Sequence, residues 1–184
     1  RFVGAMWALD TELAYRRHFP AINWLRSFSQ YAEIVEKWWV KSVSKDFPQY
    51  RRRGLRLLTV ASEIEAIASV IGEGALPDDQ RLILLTADII KEGFLRQVAF
   101  SGEDIFCPPQ KQYLLLKMMI DFFDKAYELI RKRVSIEEIS RLPEVFEMMR
   151  VKEDERGIKA VKELYDRTMK KLKEIGEKHG IALE

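Results

Sequence analysis

The sequence predicts an all-α fold, a helical bundle preceded by one short strand, and three observations carry that expectation. From Ser27 onward, apolar residues recur every three or four positions through most of the chain, the spacing that gives a helix one buried face. Glycine and proline gather at the joins between these stretches, at Gly72 to Pro77, at Gly102 and at Pro108-Pro109, where helices are expected to stop. Phe2 to Trp7 is an apolar run without helical period, which suits a buried strand.

Taken in order, Thr11 to Arg17 predicts a helical turn or two, and His18-Phe19-Pro20 ends it, because a residue before proline is pushed towards extended backbone. Phe19 is then carried on a turn. Two readings stand for it: Phe19, Ile22, Trp24 and Leu25 plug the top of a core, or an aromatic is presented to a flat ligand. A helix follows from Ser27 as N-cap, with Phe28, Tyr31, Ile34, Val35, Trp38 and Trp39 on one face. The tryptophan pair could form an aromatic box, but at that spacing it is expected to serve as core and shoulder.

The next helix is expected from Asp46 to Gly72, with Pro48 in its first turn. Its start carries Arg51, Arg52, Arg53 and Arg56, which read as a solvated face or as a phosphate-contacting patch; no aromatics alternate with them as single-strand binding requires. Gly72 to Gln80 predicts a tight hairpin, with Pro77 in the first turn of the following helix and Asp78 and Asp79 facing its dipole. Leu76 stands near the tip, where a monomer is expected to gain little from it.

Leu82 to Leu95 is a further apolar helix, with Ile83, Leu84, Ala87, Ile90 and Phe94 on one side. Gln97 to Pro109 is a loop held between rigid helices, a common place for binding groups. Pro109 to Arg133 has a stripe of Tyr113, Leu116, Met119, Phe123, Tyr127 and Ile130, broadened by Leu115, Met118, Phe122 and Leu129, which implies burial on two sides. Ser135 and Glu138 predict a capping box for a short helix that Pro143 ends. The charged stretch beyond carries a narrow stripe, Ile158, Val161, Leu164, Tyr165, Thr168, Leu172 and Ile175, as expected of a helix packed along one partner.

The strings WALD, LAYRRHFPAINWL, ALPDDQRLILLTADIIKEGFLRQ and FSGEDIFCPPQKQ resemble the catalytic A subunit of the archaeal and vacuolar-type rotary ATPases, over roughly residues 1 to 145. The resemblance implies that residues 1–25 end a nucleotide-binding core, leaving the first strand as its remnant, and that 26–184 form a C-terminal helical domain with 145–184 as a charged helical extension. It implies an adenine pocket with Phe19 on one side and Phe100 on the other, Phe106 being the second choice for the latter. It also implies that Leu76, Pro77, Asp78 and Asp79 form a hairpin touching the central rotor shaft. In that family three A and three B subunits alternate around the shaft. ATP or ADP with magnesium turns over, coupled to ion movement through a membrane sector, and the complex sits peripherally on the cytoplasmic face of the cell membrane.

The sequence departs from that family by absence. No G-x-x-x-x-G-K-S/T occurs, so the phosphate-cradling loop and its lysine are missing, along with the catalytic glutamate; this stretch alone is expected to bind no nucleotide and to be inactive. No catalytic residue is assigned. His18, His179 and the single Cys107 form no metal or nucleophile pattern. With 31 basic and 29 acidic residues the net charge is +2, which gives no global field for nucleic acid, and none is expected as a partner. The competing class is a free-standing helical interaction module binding nucleic acid through Arg51 to Arg56.

Overall fold

The computed structural model describes residues 3–97 and 102–183. Its only sheet among them has two strands, β1 (Ala5–Leu9) and β2 (Ile22–Ser29), paired antiparallel with Leu9 opposite Ile22 and Ala5 opposite Ser29. The register breaks between Met6 and Ala8, and side chains close the break. Asn23 Oδ1 accepts from the Leu25 and Arg26 amides, and the Ser27 hydroxyl donates to the Asn23 carbonyl while accepting from the Ala8 amide, the local bonding that favours asparagine and serine at irregular backbone. The expected helix from Ser27 therefore begins later: Ser27 is occupied in the sheet, and α2 spans Ala32–Ser42. β1 also departs from the buried strand expected, since Met6, Trp7 and Leu9 are exposed.

Between the strands, α1 (Thr11–Tyr15) is capped by Asp10, whose Oδ1 accepts from the Glu12 and Leu13 amides at 2.9 and 3.2 Å. No residue of α2 is buried. The tryptophan pair divides: Trp39 stacks on Phe47 at 3.9 Å between ring centroids, whereas Trp38 is half exposed. α3 (Phe47–Ile71) starts with Pro48 in its first turn and ends where Gly72 takes φ 84°, a conformation glycine adopts without Cβ conflict. A 3-10 turn, Glu73–Ala75, leads to α4 (Asp78–Ile90), which continues into a π turn, Lys91–Leu95. Then follow α5 (Gly102–Ile105), α6 (Pro109–Arg131), α7 (Ile136–Ser140), α8 (Pro143–Met148), a 3-10 turn at Val151–Glu153, and α9 (Ile158–Lys178). The architecture is an all-α bundle with a small sheet at one end.

α6 is the centre of the bundle, with α3 and α4 on one side and α9 on the other. Its broad stripe needs both neighbours: Met118, Met119, Phe122, Ala126 and Leu129 are all fully buried. The narrow stripe of α9 lies on α6, so its partner belongs to the same chain; Val161 and Leu172 are fully shielded. A polar node ties the same three layers. Lys117 Nζ bonds to Asp121 and to the hydroxyls of Tyr50 on α3 and Tyr165 on α9. Burial pulls the Lys117 pKa down, but these bonds outweigh it and leave the ammonium harder to deprotonate than an ordinary lysine.

Two terminal signals act differently from expectation. Ser135 does cap α7, accepting from Glu137 N at 3.1 Å, but Glu138 turns to α9 and pairs with Lys178 and His179. Pro143 lies in the first turn of α8 and so starts a helix as well as following one, in the position where a missing N–H costs nothing. Because Phe122 fills the α6 centre, Phe122→Ala is expected to destabilise the fold by about 3–5 kcal/mol, whereas Trp38→Ala should change stability by within about 0.5 kcal/mol. Urea unfolding of the two variants checks both; comparable losses would contradict this account of the core.

Candidate functional site

The HFP turn divides its rings between the core and the surface. After α1 the chain reverses at Arg17, which has φ 56°, and the His18 amide donates to the Leu13 carbonyl at 2.9 Å. His18 points inward, 5% exposed, with its ring 5.6 Å from that of Trp24, itself packed on the core. Phe19 points outward, 53% exposed, ahead of a cis bond to Pro20. The Phe19 carbonyl accepts from the Gln97 amide at 2.7 Å. A backbone bond therefore joins this turn to the start of the loop that follows α4, although 78 positions separate the two residues in the chain.

That second loop is anchored at both described ends. On its α4 side, Glu92 lies 2.7 Å from Arg96 and 3.8 Å from His18 Nδ1. On its α6 side, Asp104 is buried and stands 3.5 Å from the ammonium of buried Lys152. Lys152 Nζ also donates to the Arg96 carbonyl, and Lys111 Nζ donates to the Lys152 carbonyl at 2.6 Å. Phe106 lies beyond, 74% exposed. Phe100 falls outside the described residues. Of the sequence-predicted pair, the structure thus brings together the loops, by a bond at Phe19 and Gln97.

The buried lysines were missed in the sequence, yet one signal was there. Lys111, Leu115, Met118 and Phe122 follow one another at helical spacing, so the lysine occupies a core-facing position of α6, where a cation needs a partner. Lys152 had no comparable signal. It sits in a 3-10 turn whose contacts join distant parts of the chain.

The hairpin before α4 keeps its expected form but not its expected division of labour. Leu76 is 5% exposed and belongs to the core, so it is not idle in the single chain. The Leu76 amide donates to the Glu73 carbonyl at 3.1 Å at the end of the 3-10 turn, and its side chain packs in the core. Asp78 is also engaged, accepting from the Ile136 amide at 3.1 Å and lying 3.5 Å from Arg81. Arg81 reaches Glu137 at 2.5 Å, and the Ser135 hydroxyl followed by Arg81 holds the Glu137 carboxyl down at about 2. Pro77 precedes α4 as its cap residue, one position outside the expected first turn. The outward residues are Glu73, Gly74, Ala75, Pro77 and Asp79.

The arginine cluster is partly consumed within the chain. Arg52 pairs with Glu36 at 3.3 Å, and Arg53 pairs with Asp124 on α6. No group of three or more histidine, cysteine, aspartate or glutamate side chains suited to a metal occurs among the described residues.

A helical bundle carrying two joined aromatic-bearing loops is the class this geometry defines. The same fold occurs in NeqB, an ATP synthase component from Nanoarcheaum equitans, with a TM-score of 0.52 and 19% identity over 66% of this chain and 28% of that one. Residues 36–140 match the family described as the C-terminal domain of V and A type ATP synthase, and the chain belongs to that family. It is 80% identical over 183 residues to the A subunit of the A-type ATP synthase of Thermofilum pendens, and 41% identical over 180 residues to its counterpart in Pyrococcus horikoshii. These matches take in 100% and 98% of the chain, which spans only 30% and 19% of the length of those relatives.

His18 supplies a pH test of the site. Burial lowers its pKa below the ordinary 6.5, Glu92 pulls it back, and Arg96 and Lys152 push it further down. The folded state therefore favours neutral imidazole. Below pH 6.5 the unfolded chain takes up the proton first, so the stability that His18 contributes is present above that pH and is lost as pH falls towards the folded pKa. NMR titration of the His18 ring should give a midpoint below 6.5, and a midpoint above it would contradict the buried placement.

Proposed function

We propose that this chain serves as the C-terminal part of the catalytic A subunit of a rotary ATP synthase, supplying one wall of an adenine pocket and a lever to the rotor. The sheet of β1 and β2 ends the nucleotide-binding core in this reading, and the helices from α2 onward form the C-terminal domain, with 145–184 as its extension. Phe19 and Phe100 flank the adenine ring of ATP or ADP, with Phe106 as the alternative to Phe100. Magnesium and the phosphates are held by the part of the subunit that carries the phosphate-binding loop. The carrying observation is the 2.7 Å bond from Gln97 to Phe19, because it holds the two aromatic-bearing loops against each other.

The partners in this reading are the B subunits of an alternating hexamer and the central rotor shaft, with the membrane sector reached indirectly. In this reading the complex sits peripherally on the cytoplasmic face, and no helix among the described residues is long and apolar enough to cross a membrane. The hairpin meets the shaft through Glu73 to Ala75, Pro77 and Asp79, while Leu76 and Asp78 transmit the force by fastening the tip to the core and to α7. A nucleic-acid module acting through Arg51 to Arg56 is the weaker reading, since Arg52 and Arg53 already hold carboxylates.

Two variants of the complete subunit, reassembled into the complex, test the division of roles. Phe100→Ala should weaken nucleotide binding by about 1–3 kcal/mol, the worth of one aromatic stack on a base. Glu73→Ala with Pro77→Ala and Asp79→Ala should leave nucleotide binding intact and lower the ions pumped per ATP hydrolysed. An unchanged dissociation constant in the first, or full coupling in the assembled second, would remove the corresponding role.

A further inference from the structure

We infer that Lys152 is a positioning residue for the adenine wall, a clasp that holds Arg96, next to the Gln97 bonded to Phe19, against Asp104, two residues before Phe106. The inference rests on the adenine-pocket reading above and adds a residue that lies outside the aromatic motifs and outside residues 36–140, the part matched by the family. Lys152 grips both sides of the loop at once: its ammonium donates to the carbonyl of Arg96 and stands 3.5 Å from the carboxylate of Asp104, with both charged side chains 4% exposed. One buried cation thus fixes the distance between the residue before Gln97 and the residue two before Phe106. The 97–106 stretch holds both candidate aromatics, and its first residue is bonded to Phe19.

The clasp is itself held from behind. Lys111, 2% exposed in the first turn of α6, donates to the Lys152 carbonyl at 2.6 Å, which ties the Val151–Glu153 turn to the central helix. Gly93 closes the same corner. A Cβ on it would stand 2.5 Å from the Met148 carbonyl, so the π turn and the end of α8 meet at a spacing that only glycine permits without movement. The loop's frame is therefore built from α4, α6 and the turn after α8, and Lys152 is the group that joins them. A buried ion pair is weak evidence for added stability, since an apolar pair of similar volume often serves as well. What the lysine provides that an apolar residue does not is a directed bond to two points of the loop. Placement of a binding group to within about 1 Å affects the function of a site strongly.

The test uses the complete subunit in the reassembled complex. Lys152→Met is combined with Asp104→Asn so that neither member of the ion pair is left charged without the other, and KM and kcat for ATP hydrolysis are measured together with the thermal midpoint. The clasp predicts a KM raised by about tenfold, of the order of one lost stacking contact, with kcat within about twofold and the midpoint near that of the parent. An unchanged KM, or a fall in kcat with no rise in KM, overturns it. Should the double variant not assemble, Lys111→Met, which removes only the support from behind, takes its place; the clasp predicts a KM rise of about threefold, and an unchanged KM overturns it. Phe100→Ala and Phe106→Ala are run alongside. If either raises KM while the lysine variants do not, the clasp fails and the adenine reading stands; if none raises KM, the adenine reading fails and takes the clasp with it.

Discussion

Helix α6 is apolar on two sides, and burying both is the constraint from which the other placements follow. A side chain such as Phe122 or Leu129, fully withdrawn from water, contributes about 1.5–3 kcal/mol relative to an exposed one. One helix face can be served by α3 and α4, but the second needs α9, so the charged stretch beyond Pro143 is drawn into the same bundle. The Lys117 node repeats the arrangement in polar form, reaching Tyr50 on one side and Tyr165 on the other. A cation placed there gives the three layers a common register, because its bonds are directional where apolar contacts are not.

The two candidate regions hang on that centre. The hairpin before α4 is fastened by Leu76 in the core and by Asp78 on the α7 amide, and the loop after α4 is fastened by Lys152 and Asp104. They lie at opposite ends of one helix and its π-turn extension. In the proposed lever, a displacement of the tip would travel along this packed rod, since protein interiors are dense enough to pass strain on rather than absorb it.

What could be read from the sequence followed the strength of the local signal. The long helices were legible because their apolar spacing agrees with their glycine and proline punctuation, as at Pro48 and Gly72. β2 was not, because Phe28 fits a helical stripe as well as a strand, and pairing with β1, which sets Met6 opposite Phe28 and Ala5 opposite Ser29, decides between them. Leu76 was misplaced for a similar reason: position in the chain says that it is near a tip, whereas only the fold shows that it packs in the core. At the candidate site, the motif marks Phe19 and the fold leaves its ring exposed. The buried lysines escaped notice because Lys111 reads as an ordinary helix-start cation and Lys152 as one charge in a charged stretch. Their partners are carbonyls and a carboxylate brought near only by folding.

In the proposed function, the HFP turn and the loop after α4 face one adenine ring. Photolabelling the complete subunit with an adenine nucleotide bearing a photoreactive group on the base, followed by peptide mapping, tests it most directly. The account predicts label on Phe19 or its neighbours and on the 97–107 segment, both suppressed by excess ATP. Label suppressed by ATP but confined to other parts of the subunit would contradict it.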